Sequence, residues 1–298
     1  MTGDASAGLP RTVTTPDDRT LACLEVGDPR GPLVLHNHGG PSSRLEARLF
    51  ADAAAKNRIR LVCVDRPGIG RSSQQKTRSY AGWAEDLTAV ADALGCHEFG
   101  VTGWSEGGPW ALAAAAHIDS RRLRHVSSIA GGSYGTFGDN WAAERLSRAD
   151  ALGGTLALRF TPGFRLMYAV LGLTAKRYRR AYIDQLRKAV NGYDREILLR
   201  PEIAAAFSDT SAECFAQGSD GLVRDSALLY RRWAFDVTTI ERPVHMWQGT
   251  DDRLVAAAIN KTVADRMPGA VWHSVEGAGH FVAVGSAADI FAIAAAEL

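Results

Sequence analysis

His97-Glu98-Phe99-Gly100-Val101-Thr102-Gly103-Trp104-Ser105-Glu106-Gly107-Gly108-Pro109-Trp110-Ala111-Leu112-Ala113-Ala114-Ala115-Ala116 decides the fold of this chain. His97–Thr102 reads as a strand, and Trp110–Ala116 as a buried helix of strong propensity. Between them lies Gly-x-Ser-x-Gly at Gly103, Ser105 and Gly107. A strand, a sharp turn and a helix around that pattern make the context of a nucleophile elbow. The turn strains the Ser105 backbone, so the residues two positions away on either side must be small, and both are glycine. A helix starting at Ser105 aims free N–H groups at the serine, where an oxyanion would form. Pro109 falls in the first helical turn, where its missing N–H costs little.

Working outward, the upstream chain alternates. Residues 11–26 suggest two short strands around the turn Pro16-Asp17-Asp18-Arg19. Leu33–His38 is a compact strand ending in His38-Gly39-Gly40-Pro41. A glycine pair after a central strand frees backbone N–H groups and removes side-chain bulk. The Gly40 N–H is the candidate oxyanion donor, with Gly39 giving room; the same letters also spell an ordinary turn. Residues 44–57 are Ala-rich and helical, and Arg60–Val64 is a buried parallel strand. The loop after it, Asp65-Arg66-Pro67-Gly68-Ile69-Gly70-Arg71-Ser72, begins with an acid that reads as an acceptor for loop N–H groups. Trp83, Leu87, Val90, Ala91 and Leu94 share one face of a helix over 80–94, stopped by Gly95. Strand–helix alternation of this kind argues a parallel α/β sheet.

Downstream, Arg124–Ala130 is a further strand, and then the alternation stops. Residues 136–236 hold no clear parallel strand; helices are expected at about 139–152, 155–160, 163–173, 175–190 and 222–234. The helix over 175–190 carries Lys176, Arg177, Arg179, Arg180, Arg187 and Lys188 against Asp184 alone, and reads as a solvated face. Alternation resumes with a strand at Arg242–Gln248, a helix at Ala256–Met267, a strand at Val271–Val275 and a final helix at about 286–297. The expected organisation is an α/β core over 1–135 and 237–298 with a helical cap over 136–236.

Composition narrows the function classes. The net charge is +1, from 34 basic and 33 acidic residues, so no whole-molecule field attracts nucleic acid or an anionic membrane. Cys23, Cys63, Cys96 and Cys214 are widely spaced with no Cys-x-x-Cys, which argues against zinc or a redox pair and suits a reducing compartment. Met1–Gly8 has neither a basic region nor an apolar run, so it reads as a loose tail rather than a signal peptide. No uncharged apolar stretch is long enough to span a bilayer. A cytoplasmic protein with a small-molecule substrate is expected, and the oligomeric state is not legible.

A serine hydroxyl needs a base to take its proton, usually a histidine held by a carboxylate. His280, in Glu276-Gly277-Ala278-Gly279-His280-Phe281, follows the last strand. The acid comes from Gly249-Thr250-Asp251-Asp252-Arg253-Leu254-Val255, where Asp251 and Asp252 compete and Asp252 is preferred. All sit at the C-terminal ends of expected parallel strands, the edge where ligands bind. His38 precedes the nucleophile and is assigned to orienting its own loop.

These motifs, in this order over about 38–281, resemble the capped α/β-hydrolase superfamily. The resemblance implies a mostly parallel eight-stranded sheet with flanking helices, a lid over the site, no cofactor, and the chain order Ser, acid, His; no metal is expected either. His38-Gly39-Gly40-Pro41 is similar to proline iminopeptidases, which usually carry Trp just after the nucleophile where this chain has Glu106. A serine nucleophile separates the chain from aspartate-nucleophile dehalogenases and epoxide hydrolases. The reading is a serine hydrolase of esters or lactones: Ser105, His280 and Asp252 catalytic, the N–H groups of Gly40 and Glu106 holding the oxyanion. Trp104, Trp141, Phe164, Tyr168 and Trp233, with Phe160, are the candidates to line an apolar pocket. Carbon–carbon or amide hydrolysis on the same residues, and a ligand-binding protein on the same fold, stay open.

Overall fold

The computed structural model describes residues 8–298; the tail expected at Met1–Gly8 lies outside them save for Gly8. The chain opens with a hairpin of β1 (Leu9–Thr14) and β2 (Thr20–Gly27), antiparallel to each other. Then come β3 (Leu33–Asn37), a 3-10 stretch at Arg44–Phe50 that leads into α1 (Ala51–Lys56), β4 (Arg60–Val64) and α2 (Tyr80–Ala93). The elbow follows as β5 (Phe99–Trp104) and α3 (Gly107–His117), and β6 is Leu123–Ile129. Next are α4 (Arg148–Arg159), α5 (Thr161–Arg177), α6 (Arg179–Ala189), α7 (Gly192–Leu199), α8 (Pro201–Cys214) and α9 (Asp220–Leu229). The chain closes with β7 (Val244–Gly249), α10 (Ala257–Arg266), β8 (Ala270–Val275), α11 (Val282–Gly285) and α12 (Ala287–Glu297).

All eight strands form one sheet in the order β1-β2-β4-β3-β5-β6-β7-β8. β2 runs antiparallel to β1 and β4, and every pair from β4 to β8 is parallel. The expected mostly parallel sheet is therefore present. β3, β5 and β7 are buried along their whole length, as strands covered on both faces must be. One covering layer packs Trp83, Leu87 and Val90 of α2 with Trp110 of α3. The other packs Phe50 and Ala54 with Ile290 and Phe291 of α12. Trp110 is fully enclosed, so truncating it to alanine costs about 3–5 kcal/mol.

The stretch 136–236 holds α4–α9 and, among the described residues, no strand. Its internal divisions differ from those expected. One helix, α4, runs through Gly153-Gly154, where a break between 152 and 155 was expected. Ser147 caps it by accepting the Asp150 N–H, and the two glycines admit the Tyr230 side chain: a Cβ at Gly153 would stand 2.9 Å from its hydroxyl, and one at Gly154 2.9 Å from its ring. The glycines thus serve close packing, not termination. The helix expected over 222–234 stops at Leu229. α7 and α8 were not anticipated, although Asn191 caps the first through the Asp194 N–H and Pro201 opens the second. No helix among the described residues is long and apolar enough to cross a membrane.

Candidate active site

β5 delivers Ser105 into a left-handed backbone conformation, with φ at +56°. A non-glycine residue held there is strained and needs its surroundings to hold it. The Ser105 N–H donates to the Ile129 carbonyl of β6 at 2.9 Å, and the Ser105 carbonyl accepts the Gly132 N–H at 3.0 Å. The flanking glycines are required by sterics. A Cβ at Gly103 would overlap the Gly107 carbonyl, and a Cβ at Gly107 would overlap the Asn37 carbonyl at the end of β3.

His280 lies in the loop after β8. Its Nδ1 stands 2.9 Å from Asp252 Oδ2 in the loop after β7. The other oxygen of Asp252 accepts the Leu254 and Val255 N–H groups at 2.8 and 2.9 Å. Asp251 is exposed and makes no such bridge. Burial alone would depress the His280 imidazole, but the carboxylates of Asp252, Asp194 and Asp150 outweigh it and hold it above its ordinary value.

Ser105 and His280 line one cavity of about 630 Å³, roofed by the helices of 136–236. Gly39 and Gly40 form part of its wall. A Cβ at Gly39 would come 3.3 Å from the Ser105 Cβ, and one at Gly40 would overlap the Glu106 carboxyl group. The glycine pair therefore lets the loop after β3 press against the elbow. That loop is held from three sides. Glu46 accepts the Gly39 N–H at 3.1 Å and the His36 imidazole at 2.9 Å. Arg66 donates to the His38 carbonyl at 2.6 Å. His38 has Nδ1 2.8 Å from the Gly39 carbonyl, and its Nε2 accepts the Arg66 N–H at 3.3 Å. Burial, reinforced by Arg66, pushes the His38 imidazole well below its ordinary value, so it is neutral and already occupied at both nitrogens. Asp65 is the expected loop acceptor, taking the Arg44 and Arg71 N–H groups and the Arg44 guanidinium.

Glu106 faces the cavity and is otherwise enclosed by protein. The Ser226 hydroxyl of α9 lies 3.0 and 2.9 Å from its two oxygens, and the Tyr168 hydroxyl donates to it at 3.4 Å. Burial, with Asp225 nearby, pushes its carboxyl up to about 7 against the pull of Arg66 and Ser226. Asp150 also lines the cavity, accepting the Ser147 hydroxyl at 2.6 Å, and burial raises its carboxyl too. No lysine or arginine lines the cavity among the described residues.

Two of the five aromatic candidates reach this cavity. Tyr168 is in its wall, and Trp104 lies beneath it, donating from Nε1 to the His280 carbonyl at 2.9 Å. Trp141, Phe164 and Trp233 do not line it. Trp141 donates to the Ser133 carbonyl at 3.2 Å and packs on Phe137. Phe164 is buried beneath Tyr168 and Tyr230. Trp233 stacks on Phe235 with centroids 5.0 Å apart and packs against Tyr80. Phe160 is exposed. An aromatic composition does not reveal which helix face is turned inward.

Several residues escaped the sequence reading. Asp194 of α7 accepts the His280 N–H at 2.7 Å and the Phe281 N–H at 2.9 Å. Gly279 allows this approach, since a Cβ there would overlap the Asp194 carboxyl. Asp225 of α9 forms buried ion pairs with Arg66 and Arg78 and so ties the helical stretch to the loops after β4. Asn191-Gly192-Tyr193-Asp194 was the only available signal for Asp194, and it looks like any helix cap.

A family model described as alpha/beta hydrolase fold matches residues 32–286. The chain is 26% identical over 280 residues to a proline iminopeptidase of Lacticaseibacillus rhamnosus, covering 86% of each. It is 25% identical over 255 residues to a 2-hydroxymuconate semialdehyde hydrolase of Pseudomonas putida, covering 85% of this chain and 82% of that one. Among solved structures, an alpha/beta hydrolase fold protein from Nakamurella multipartita superposes with a TM-score of 0.70 at 22% identity, over 97% of this chain and 99% of that one.

Proposed function

The chain belongs to the alpha/beta hydrolase fold family and is a hydrolase, and on that premise we propose that it cleaves a carboxylic ester or lactone through an acyl-enzyme on Ser105. The observation that carries this reading is the bridge from Asp252 to His280 at 2.9 Å, in a cavity that His280 shares with the strained Ser105. Ser105 Oγ attacks the carbonyl carbon while His280 Nε2 takes its proton. Asp252 keeps the remaining proton on Nδ1 and stabilises the imidazolium. The oxyanion is held by the N–H groups of Gly40 and Glu106, each donor of this kind contributing about 10²–10³ in kcat. His280 then gives its proton to the departing alcohol, and a water repeats the sequence on the acyl-enzyme. The cavity size suits a small-to-medium acyl group, with Met167, Leu171 and Phe207 in the wall.

The test is release of p-nitrophenol from esters of increasing acyl length by the wild type and by Ser105→Ala. Turnover is expected to fall by at least about 10⁴ in the variant. Full turnover by Ser105→Ala would sink the mechanism. A second reading, amide cleavage of the kind a proline iminopeptidase relative suggests, is favoured by Glu106 and Asp150, two carboxylates in a cavity wall that holds no lysine or arginine among the described residues. It expects an aminoacyl p-nitroanilide to be cleaved faster than the matching uncharged acyl anilide.

A further inference from the structure

Leu152, Phe160, Leu166, Val170, Leu173 and Tyr178 are each more than half exposed. They are six of the nine large apolar side chains left exposed among the described residues. Single apolar side chains scattered over a surface need no explanation, but their concentration on two adjoining helices does. On α5 the spacing is helical: Leu166, Val170 and Leu173 stand at i, i+4 and i+7, away from the face that buries Phe164, Tyr168 and Ala175. One side of α5 closes the cavity, and the other is an apolar stripe with no cover among the described residues.

The same stretch is segregated in charge. From Ala151 to Ile183 there is no Asp or Glu, while Arg159, Arg165, Lys176, Arg177, Arg179 and Arg180 all fall within it. The whole-molecule balance of +1 conceals this. Lys176, Arg177, Arg179 and Arg180 frame a shallow surface depression where α5 meets α6. Asp209 pairs with Arg179, and Asp184 stands 3.9 Å from Arg180. Val170 is both a member of the exposed stripe and part of the cavity wall, so the apolar surface reaches the cavity mouth.

We propose that this face of α4, α5 and the start of α6 is a docking surface for an anionic phospholipid bilayer. An amphipathic surface with Leu and Phe on one part and Lys and Arg on another lies in the headgroup region of such a bilayer. The stripe enters the headgroup–acyl boundary, and the basic depression sits at the level of the phosphates. A second copy of this chain is the competing occupant. A two-fold dimer through this face would press together two copies of a stretch, Ala151–Ile183, that carries six cations and no carboxylate, which charge opposes. If the esterase reading holds, docking puts the cavity mouth against the lipid, where an acyl substrate is concentrated. The docking itself rests on surface residues alone.

The experiment is co-sedimentation of the full chain, and of Ser105→Ala, with vesicles of phosphatidylcholine alone or mixed with phosphatidylglycerol. Binding at least about tenfold stronger to the anionic vesicles, weakened by salt, is expected for both proteins. Leu173→Glu and Arg180→Glu, both at exposed positions, should each lower that binding about tenfold while turnover of a short soluble ester is unchanged. Failure of the wild type to bind anionic vesicles overturns the proposal. So does equal binding by wild type and both variants, and so does light scattering that shows a dimer abolished by Leu173→Glu.

Discussion

Asp252 divides its two oxygens between two tasks, and this sets what an amide in its place would do. Oδ1 accepts two backbone N–H groups from its own loop, and Oδ2 faces His280 Nδ1. In Asp252→Asn the loop N–H groups hold the single amide oxygen at the Oδ1 position, so the NH₂ is turned to the imidazole. His280 is then driven to the tautomer that carries its proton on Nε2, where it cannot accept one from Ser105. A kcat loss of about 10⁴ with unchanged secondary structure is expected, read by ester turnover and circular dichroism. Asp252 is also the first of the carboxylates that hold the His280 imidazole up against burial. Its removal should move the acid limb of the residual rate toward lower pH. A variant within tenfold of wild type would show that Asp252 does not orient the base. Ser105, Asp252 and His280 were all legible as residues, because each lies in a short stretch whose glycines and order carry its chemistry.

At the scale of elements, the helical stretch does more than roof the cavity. Asp194 sits 86 positions before His280, yet its carboxylate takes the N–H groups of both His280 and Phe281. No local pattern could have revealed that pairing, since it exists only once α7 packs on the loop after β8. The same reason explains Glu46 and the Gly39 N–H, and Asp225 against Arg66. The sheet was legible because its strands are apolar runs ended by turn residues. The helix limits in 136–236 were not, because Gly153-Gly154 signals a break locally and close packing in the fold. Asp194→Asn keeps one acceptor and presents NH₂ to the other N–H, leaving a buried donor unpaired. A stability loss of about 1–3 kcal/mol is expected from urea melts. A displaced His280 should also lower kcat by up to about 10² with KM little changed. Destabilisation without any change in kcat would show Asp194 to be a packing residue only.

Across the whole molecule, the ionisable groups divide by edge of the sheet. At the edge that carries Ser105, burial raises the carboxyls of Glu106, Asp150 and Asp194. At the opposite edge, Glu297 of α12 takes the imidazoles of His125 at 2.6 Å and His245 at 3.0 Å, from the starts of β6 and β7. Hydrogen bonding to His125 leads the causes that lower Glu297 to about 2. His125 itself is held below its ordinary value, first by burial. The two edges therefore respond to pH with opposite sign. Glu106, raised to about 7, favours the fold fully below its unfolded value of 4.5 and loses that contribution as pH rises through about 7. Glu297 favours the fold above its unfolded value of 4.5 and loses that contribution as pH falls through about 2; lowered His125 acts in the same direction at higher pH. Glu106→Gln should thus gain stability over wild type as pH rises from about 5 to about 8, by on the order of 3 kcal/mol. Glu297→Gln should be the less stable protein throughout that range, by no more than about 1 kcal/mol because its carboxylate is partly solvated. Denaturant titrations of the three proteins at several pH values read both effects. If the Glu106→Gln advantage stayed flat from about pH 5 to about pH 8, its carboxyl would not be titrating there. The edge that carries Ser105 thus holds carboxyls whose ionisation burial makes costly, whereas at the opposite edge the carboxylate of Glu297 is favoured by its hydrogen bonds to two imidazoles.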